Sequence, residues 1–194
     1  MACPEQAELY DPVAALAWKE TSLLYSALRS VLYLGCNGLY FATDDRLMRL
    51  SGPWVENAAT QAIFAALTAA GHKVYFVGGC IRNSVLNLPV TDIDLATDAV
   101  PKTVLSLCQS AGLKGIPTGI DHGTVTVISQ GQAHEITTFR RDIATDGRRA
   151  VVAFSKDIAE DARRRDFTIN ALYATPQGMV IDPLGGLPDL KARK

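Results

Sequence analysis

From Arg49 onward, apolar positions recur with a period that switches between helix and strand. Ala59, Ala62, Ile63, Ala66 and Leu67 share one side of a helix over Ala58–Ala70. Asn57 is placed to cap its start and Gly71 to end it. Lys73–Val77 (KVYFV) is a short β-rich run. Gly78-Gly79 makes a turn into a short helix over Cys80–Asn87, which Pro89 breaks. Thr91–Thr97 (TDIDLAT) reads as a second strand. Pro101 suits the first turn of a helix continued by Lys102–Ala111. Two alternating runs follow, Gly123–Ser129 and Ala133–Phe139, and the Gln-Gly between them fits a hairpin. Arg140–Ala150 is polar and aperiodic and is expected to be a mobile loop. Phe167–Ala174 is helical in composition, and Met179–Asp182 is one more short strand. Alternating helices and strands followed by a hairpin predict an α+β fold, a small mixed β-sheet flanked by helices.

Residues 1–47 differ. Val13–Leu34 reads as an amphipathic helix carrying Ala14, Leu16, Ala17, Leu23, Leu24, Leu28 and Leu32, with a fair 3.6 period and no chemical motif. Its most apolar part, Ser22–Gly38, is interrupted by Arg29 and is too short to span a bilayer.

The 194 residues, 48% hydrophobic, are enough for one domain with a core and a small appendage. With 20% charged residues the composition is not that of a disordered chain. The net charge of −1 means that any attraction to a polyanion must come from a local patch. Cys3, Cys36, Cys80 and Cys108 show no C-x-x-C spacing, and no secretory leader pattern opens the chain, so a reduced cytoplasm is the expected setting.

Asp92 and Asp94 are the first candidates for chemistry. On a strand, positions i and i+2 share a face, so both carboxylates would point one way and Ile93 into the core. Carboxylates held close repel unless a cation lies between them, and Mg²⁺ is the hard cation that suits oxygen ligands. A pair of turn or capping aspartates would look the same. Gly78-Gly79, between strand and helix, lets backbone N–H groups approach a phosphate, with Arg82 one turn on; taken alone, it is an ordinary tight turn. Glu135, mid-strand with Ala133 and Thr137 on its face, becomes a third ligand if its strand lies beside Thr91–Thr97; otherwise it is an edge glutamate facing water. Three carboxylates with two metals suit in-line nucleotidyl transfer. In Arg163–Leu172 (RRRDFTINAL), the arginines and Asp166 are placed to clamp triphosphate and ribose, with Asn170 on the same helical face as Asp166. The alternative is an N-capping Asp166 beside a solvated basic face.

GGCIRNSVLNLPVTDIDLAT, EITTFRRD, RRDFTINAL and DPLGGLPDL, in this order between Arg49 and Lys194, resemble the class II tRNA nucleotidyltransferase and bacterial poly(A) polymerase family. These are the CCA-adding enzymes and relatives in the DNA polymerase beta superfamily. The resemblance implies a polymerase-beta-like nucleotidyltransferase head over residues 48–182. It implies that Asp92 and Asp94 hold Mg²⁺, with Glu135 as third carboxylate. Gly78, Gly79 and Arg82 fall at phosphate-contacting positions. Arg165, Asp166 and Asn170 fall in the sugar and triphosphate motif. Arg140–Ala150 corresponds to a flexible loop that helps switch nucleotide choice. Asp182–Leu190 matches the hinge motif, so 183–194 is expected to be the hinge and the start of a neck. The implied reaction is template-independent transfer from CTP and ATP to the 3′ end of tRNA, with no membrane involved. Poly(A) addition, addition of C or A alone, and an inactive nucleotide-binding remnant are the alternatives.

Three departures accompany the match. Asn83 stands where the family usually has Asp, a mild change in the helix turn. The base-reading E-D-x-x-R motif belongs after the hinge, whereas Glu160–Arg164 precedes it and reads as a coincidence; the chain is therefore expected to be a truncated catalytic head. Met48 matches a family start, which leaves residues 1–47 as an extension from a misplaced start or a piece of other coding sequence.

Overall fold

The computed structural model describes residues 31–35, 38–42, 48–146 and 149–193. The chain divides into two compact units, Met1–Leu47 and Met48–Lys194. In the first, β1 (Val31–Gly35) and β2 (Gly38–Ala42) pair antiparallel. The helix expected over 13–34 lies outside the described residues up to 30, and its last four positions are strand.

The second unit is built on a seven-stranded sheet. Its strands are β3 (Val74–Val77), β4 (Asp94–Thr97), β5 (Lys114–Gly119), β6 (Thr124–Ser129), β7 (Gln132–Thr138), β10 (Tyr173–Ala174) and β11 (Val180–Ile181). Their order is β11-β10-β3-β4-β7-β6-β5. All neighbours are antiparallel except β4 and β7, so the sheet is mixed. The helices are α1 (Ala58–Ala69), α2 (Gly79–Val85), α3 (Pro101–Ser110), α4 (Ile158–Arg163) and α5 (Leu187–Ala192). Local chemistry sets several of these boundaries. The Asn57 side chain accepts from the Ala59 and Thr60 N–H groups at the start of α1. Gln130 and Gly131 both have positive φ, the conformation of a two-residue type I′ hairpin between β6 and β7.

Strand alternation gives the sheet two different faces. Val74, Phe76, Leu95, Val125, Val127, Ile136 and Ala174 join Ile63, Phe64 and Leu67 of α1 and Val104 and Cys108 of α3 in the main core. On the other face a smaller cluster gathers Val77, Ala96, Phe139, Ala162, Ala171 and Tyr173. The rest of that second face is open, and Asp94 and Glu135 stand on it.

Three expectations need correction here, and one strand was missed. β4 begins at Asp94, so Thr91–Ile93 approach the sheet outside the strand. The described residues of 140–150 are strand, not loose: β8 (Arg140–Asp146) and β9 (Arg149–Phe154) pair antiparallel. The signal lay in the partner, since RAVVAF is the β-prone half. Phe167–Ala174 is no α-helix; only Thr168–Asn170 makes a 3₁₀ turn before β10 enters the slot between β3 and β11. β5, KGIPTG, was not anticipated; its Pro is tolerated because the strand is at the sheet edge.

Asp182 and Gly186 explain the D-x-x-x-G pattern locally. The Asp182 carboxylate accepts from the Gly186 and Leu187 N–H groups, holding the start of α5. Leu187 and Leu190 then enter the main core. A Cβ on Gly186 would stand 2.6 Å from the Thr168 carbonyl oxygen, too close for any side chain.

Two outcomes follow from this packing. Gly186→Ala should cost about 1–3 kcal/mol by forcing backbone apart, lowering the thermal midpoint by several degrees; an unchanged midpoint would mean the contact relaxes freely. A chain starting at Met48 should melt within about 5 °C of the full chain. It keeps the Met48 carbonyl that accepts from the Val180 N–H, so a larger drop would place residues 1–47 in the fold.

Candidate functional site

The site forms where β3, β4 and β7 lie side by side. Register places Val77 opposite Asp94 and Asp94 opposite Glu135. The expected adjacency of the two acidic strands is therefore present, in parallel pairing. Asp92 lies just before the strand and accepts from the Thr91 hydroxyl at 3.0 Å. Asp94 senses both of the other carboxylates. Asp94 reaches solvent, yet the protein packed about its base costs it solvation; that desolvation, then repulsion from Glu135 and Asp92, pushes its pKa above the ordinary carboxylate value. Arg165 pulls the other way and is the cation that faces the row.

The glycine turn closes one side. Gly78 follows β3 directly, at φ 75°, and its N–H donates to the Leu172 carbonyl at 2.9 Å. A Cβ there would meet the Asn170 carbonyl oxygen at 3.6 Å and Arg165 Nη1 at 3.9 Å. Gly79 opens α2, and Arg82 Nη2 would lie 3.8 Å from a Cβ on it. Arg82 Nη1 donates to Asn170 Oδ1 at 2.6 Å, which joins α2 to the segment after Arg165. Gly78, Gly79, Arg82, Arg165 and Asn170 thus lie together. Asp166 does not join them: it is exposed, and among the described residues its side chain bonds only the Phe167 N–H.

Arg165 is held by a residue that sequence reasoning passed over. Asp161, 1% exposed, accepts from Arg165 Nε and Nη2 at 3.3 and 3.1 Å, from the Tyr173 hydroxyl at 2.7 Å and from the Arg140 N–H at 3.1 Å. Arg165 also donates to the Tyr173 oxygen at 3.2 Å and lies over its ring. Desolvation lowers the pKa of Arg165, but Tyr173 and Asp161 outweigh it and raise it, so the guanidinium stays charged. Asp161, within the E-D-A-R-R run, and Arg165, the residue just after it, are an i,i+4 pair. An acid four residues before an arginine was the available signal.

The donor set fits a hard cation only in part. Among the described residues no group of three or more His, Cys, Asp or Glu side chains gathers as a metal cage. Mg²⁺ characteristically takes one or two carboxylates and completes its shell with water and substrate phosphates. The repelling Asp94, Asp92 and Glu135 beside a glycine turn suit that arrangement. Two hollows of about 270 and 320 Å³ open elsewhere, and none of the three acids lines either. Among the described residues no helix is long and apolar enough to cross a membrane.

Known proteins resemble this chain in sequence and fold. The CCA-adding enzyme of Lactobacillus delbrueckii subsp. bulgaricus is 48% identical over 138 residues, 69% of this chain and 34% of the relative. The crystal structure of the Bacillus stearothermophilus CCA-adding enzyme in complex with CTP superposes with a TM-score of 0.64 at 36% identity, over 74% of this chain and 33% of that one. A tRNA nucleotidyltransferase complexed with a primer tRNA and an incoming ATP analog gives 0.51 at 29% identity, over 67% and 36%. The fold is thus the polymerase-beta-like head of CCA-adding enzymes, and the chain spans about a third of the length of the relatives it matches. The poly(A) polymerase head-domain family matches residues 74–194, and with the shared sheet this places the chain in that family.

Proposed function

We propose that this chain is the catalytic head of a template-independent nucleotidyltransferase that adds C and A residues to the 3′ end of tRNA from CTP and ATP. The observation that carries the reading is the juxtaposition of Asp94 and Glu135 across β4 and β7, next to the Gly78-Gly79 turn. The names of the relatives support the substrates. In the reaction the primer 3′-oxygen bonds to the α-phosphorus, the α–β phosphoanhydride breaks, and pyrophosphate leaves. Asp92 and Asp94, with Glu135, would hold Mg²⁺; when bound, it neutralises the triphosphate and activates the attacking hydroxyl. The chain's own groups position the rest. Gly78 and Gly79 leave room for phosphate oxygens against the backbone. Arg82 and Arg165 supply charge to the phosphates, and Asn170 orients Arg82 through its side-chain oxygen. Asp166 is assigned to the ribose by the resemblance, and its exposure leaves it accessible. Such chemistry is mostly positioning and charge stabilisation. The family's name favours poly(A) addition as the second reading, and nucleotide choice separates the two.

Placed in a full-length protein containing this head, Asp94→Asn or Asp92→Ala should lower incorporation by about a thousandfold or more. Activity within tenfold of the parent would remove these residues from the metal site. Stability should move the other way. The folded-state pKa of Asp94 is raised, so keeping it ionised above that pKa costs stability, and the cost grows as pH rises from the acid range. Asp94→Asn should therefore leave the neutral-pH midpoint unchanged or higher.

Equilibrium titration of the 194-residue chain with Mg²⁺ and each of CTP, ATP, GTP and UTP should give weak affinities within a few-fold of one another, with little extension of tRNA lacking its CCA end. Selective binding of CTP and ATP, or efficient addition, would place base selection within the head.

A further inference from the structure

Arg82 is oriented from two sides by neutral amides. Its Nε and Nη2 donate to Asn83 Oδ1 at 3.2 and 3.1 Å, and its Nη1 donates to Asn170 Oδ1. The other end of the Asn83 amide is also used: Nδ2 donates to the Pro89 carbonyl at 3.0 Å, which ties α2 to the segment leading to Asp92. Both halves of the side chain are therefore occupied, which requires an amide and not an acid.

The arginines of this region differ in how their charge is balanced. Arg165 is paired with Asp161, and Arg164 lies 3.9 Å from Asp142. Among the described residues no carboxylate lies within ion-pair distance of Arg82. A carboxylate at position 83 would orient the guanidinium and cancel its charge together. An amide orients it and leaves the charge whole. The half-buried Arg82 beside Gly79 is thus a fixed cation whose field is available to an anion.

We infer that Asn83 is a positioning residue that sets the triphosphate affinity of the glycine turn, by fixing Arg82 while leaving it unneutralised. It acts through Arg82 and does not itself touch the ligand. The inference rests on the reading that this turn receives a nucleoside triphosphate.

The test compares the parent chain with Asn83→Asp and Asn83→Ala, titrated with Mg²⁺-ATP and with tripolyphosphate over a range of salt. Asn83→Asp keeps an acceptor for Arg82, so a role in orientation alone would leave affinity unchanged or improved. The expected result is instead a loss of roughly five- to tenfold at low salt. The plot of log Kd against log salt should also flatten, because one cation is cancelled. Asn83→Ala should weaken binding while keeping the parent's salt slope, since it removes orientation and adds no charge; it also carries the test if the aspartate variant folds poorly. Asn83→Asp binding as tightly as the parent, or weakening with an unaltered slope, overturns the inference. A slope that flattens equally in Asn83→Ala does so too. A parent chain that binds neither probe overturns the nucleotide reading itself, a distinct result.

Discussion

Strand register is the constraint on which this structure depends. Val77, Asp94 and Glu135 stand in one row across β3, β4 and β7, and their neighbours Phe76, Leu95 and Ile136 stand in the row behind. The first row opens to the site, while the second lies in the main core. Because side chains alternate, a slip of one residue would exchange the rows and bury two carboxylates among Phe64, Leu67 and Val104. The apolar core therefore specifies the position of the acids more strongly than any contact the acids make. Repulsion between the acids opposes their arrangement, and burial on the far side of the same strands holds it.

Charge around the row is distributed unevenly. From its place on α4, Asp161 accepts four hydrogen bonds, two from Arg165 and one each from Tyr173 of β10 and Arg140 of β8, which makes Arg165 a compensated cation. Through the Arg140 N–H, the same carboxylate anchors the root of the β8–β9 hairpin. The hairpin and the arginine facing Asp94 thus share one buried acid. This gives a physical link between the β8–β9 hairpin and the arginine beside Asp94.

Much of this was legible in the chain. The cap at Asn57, the hairpin at Gln130-Gly131, the turn at Gly78-Gly79 and the mixed sheet follow from local rules that tertiary structure did not override. Asp94 and Glu135 each lie in an alternating run, which assigns a strand face to each; that their strands are neighbours is set by the sheet order. The failures share a cause. Tyr173 and Ala174 have no strand pattern of their own, being two residues long; the slot between β3 and β11 makes them β. β5 contains Gly and Pro and is a strand because β6 supplies its partner. Asp161 sits in a polar run, and its partners Tyr173 and Arg140 lie 12 and 21 residues away. Asp166 shows the converse, a motif position that stays exposed and accepts only from the adjacent Phe167 N–H among the described residues.

The parallel pairing of β4 with β7 has a consequence for how the chain acquires its site. Antiparallel β6 and β7 can zip from their two-residue turn, whereas β4 reaches β7 only after α3, β5 and β6 have been threaded between them. Closing so long a segment costs entropy before the pairing repays it, and such non-local contacts slow folding. Tyr173, which completes the hold on Arg165, must then add to the free edge of β3 from still further along the chain. An early collapsed state can therefore contain α1 and the β6–β7 hairpin and still lack any acidic row. Formation of the acidic row is thus expected late in folding, after the gain of local secondary structure.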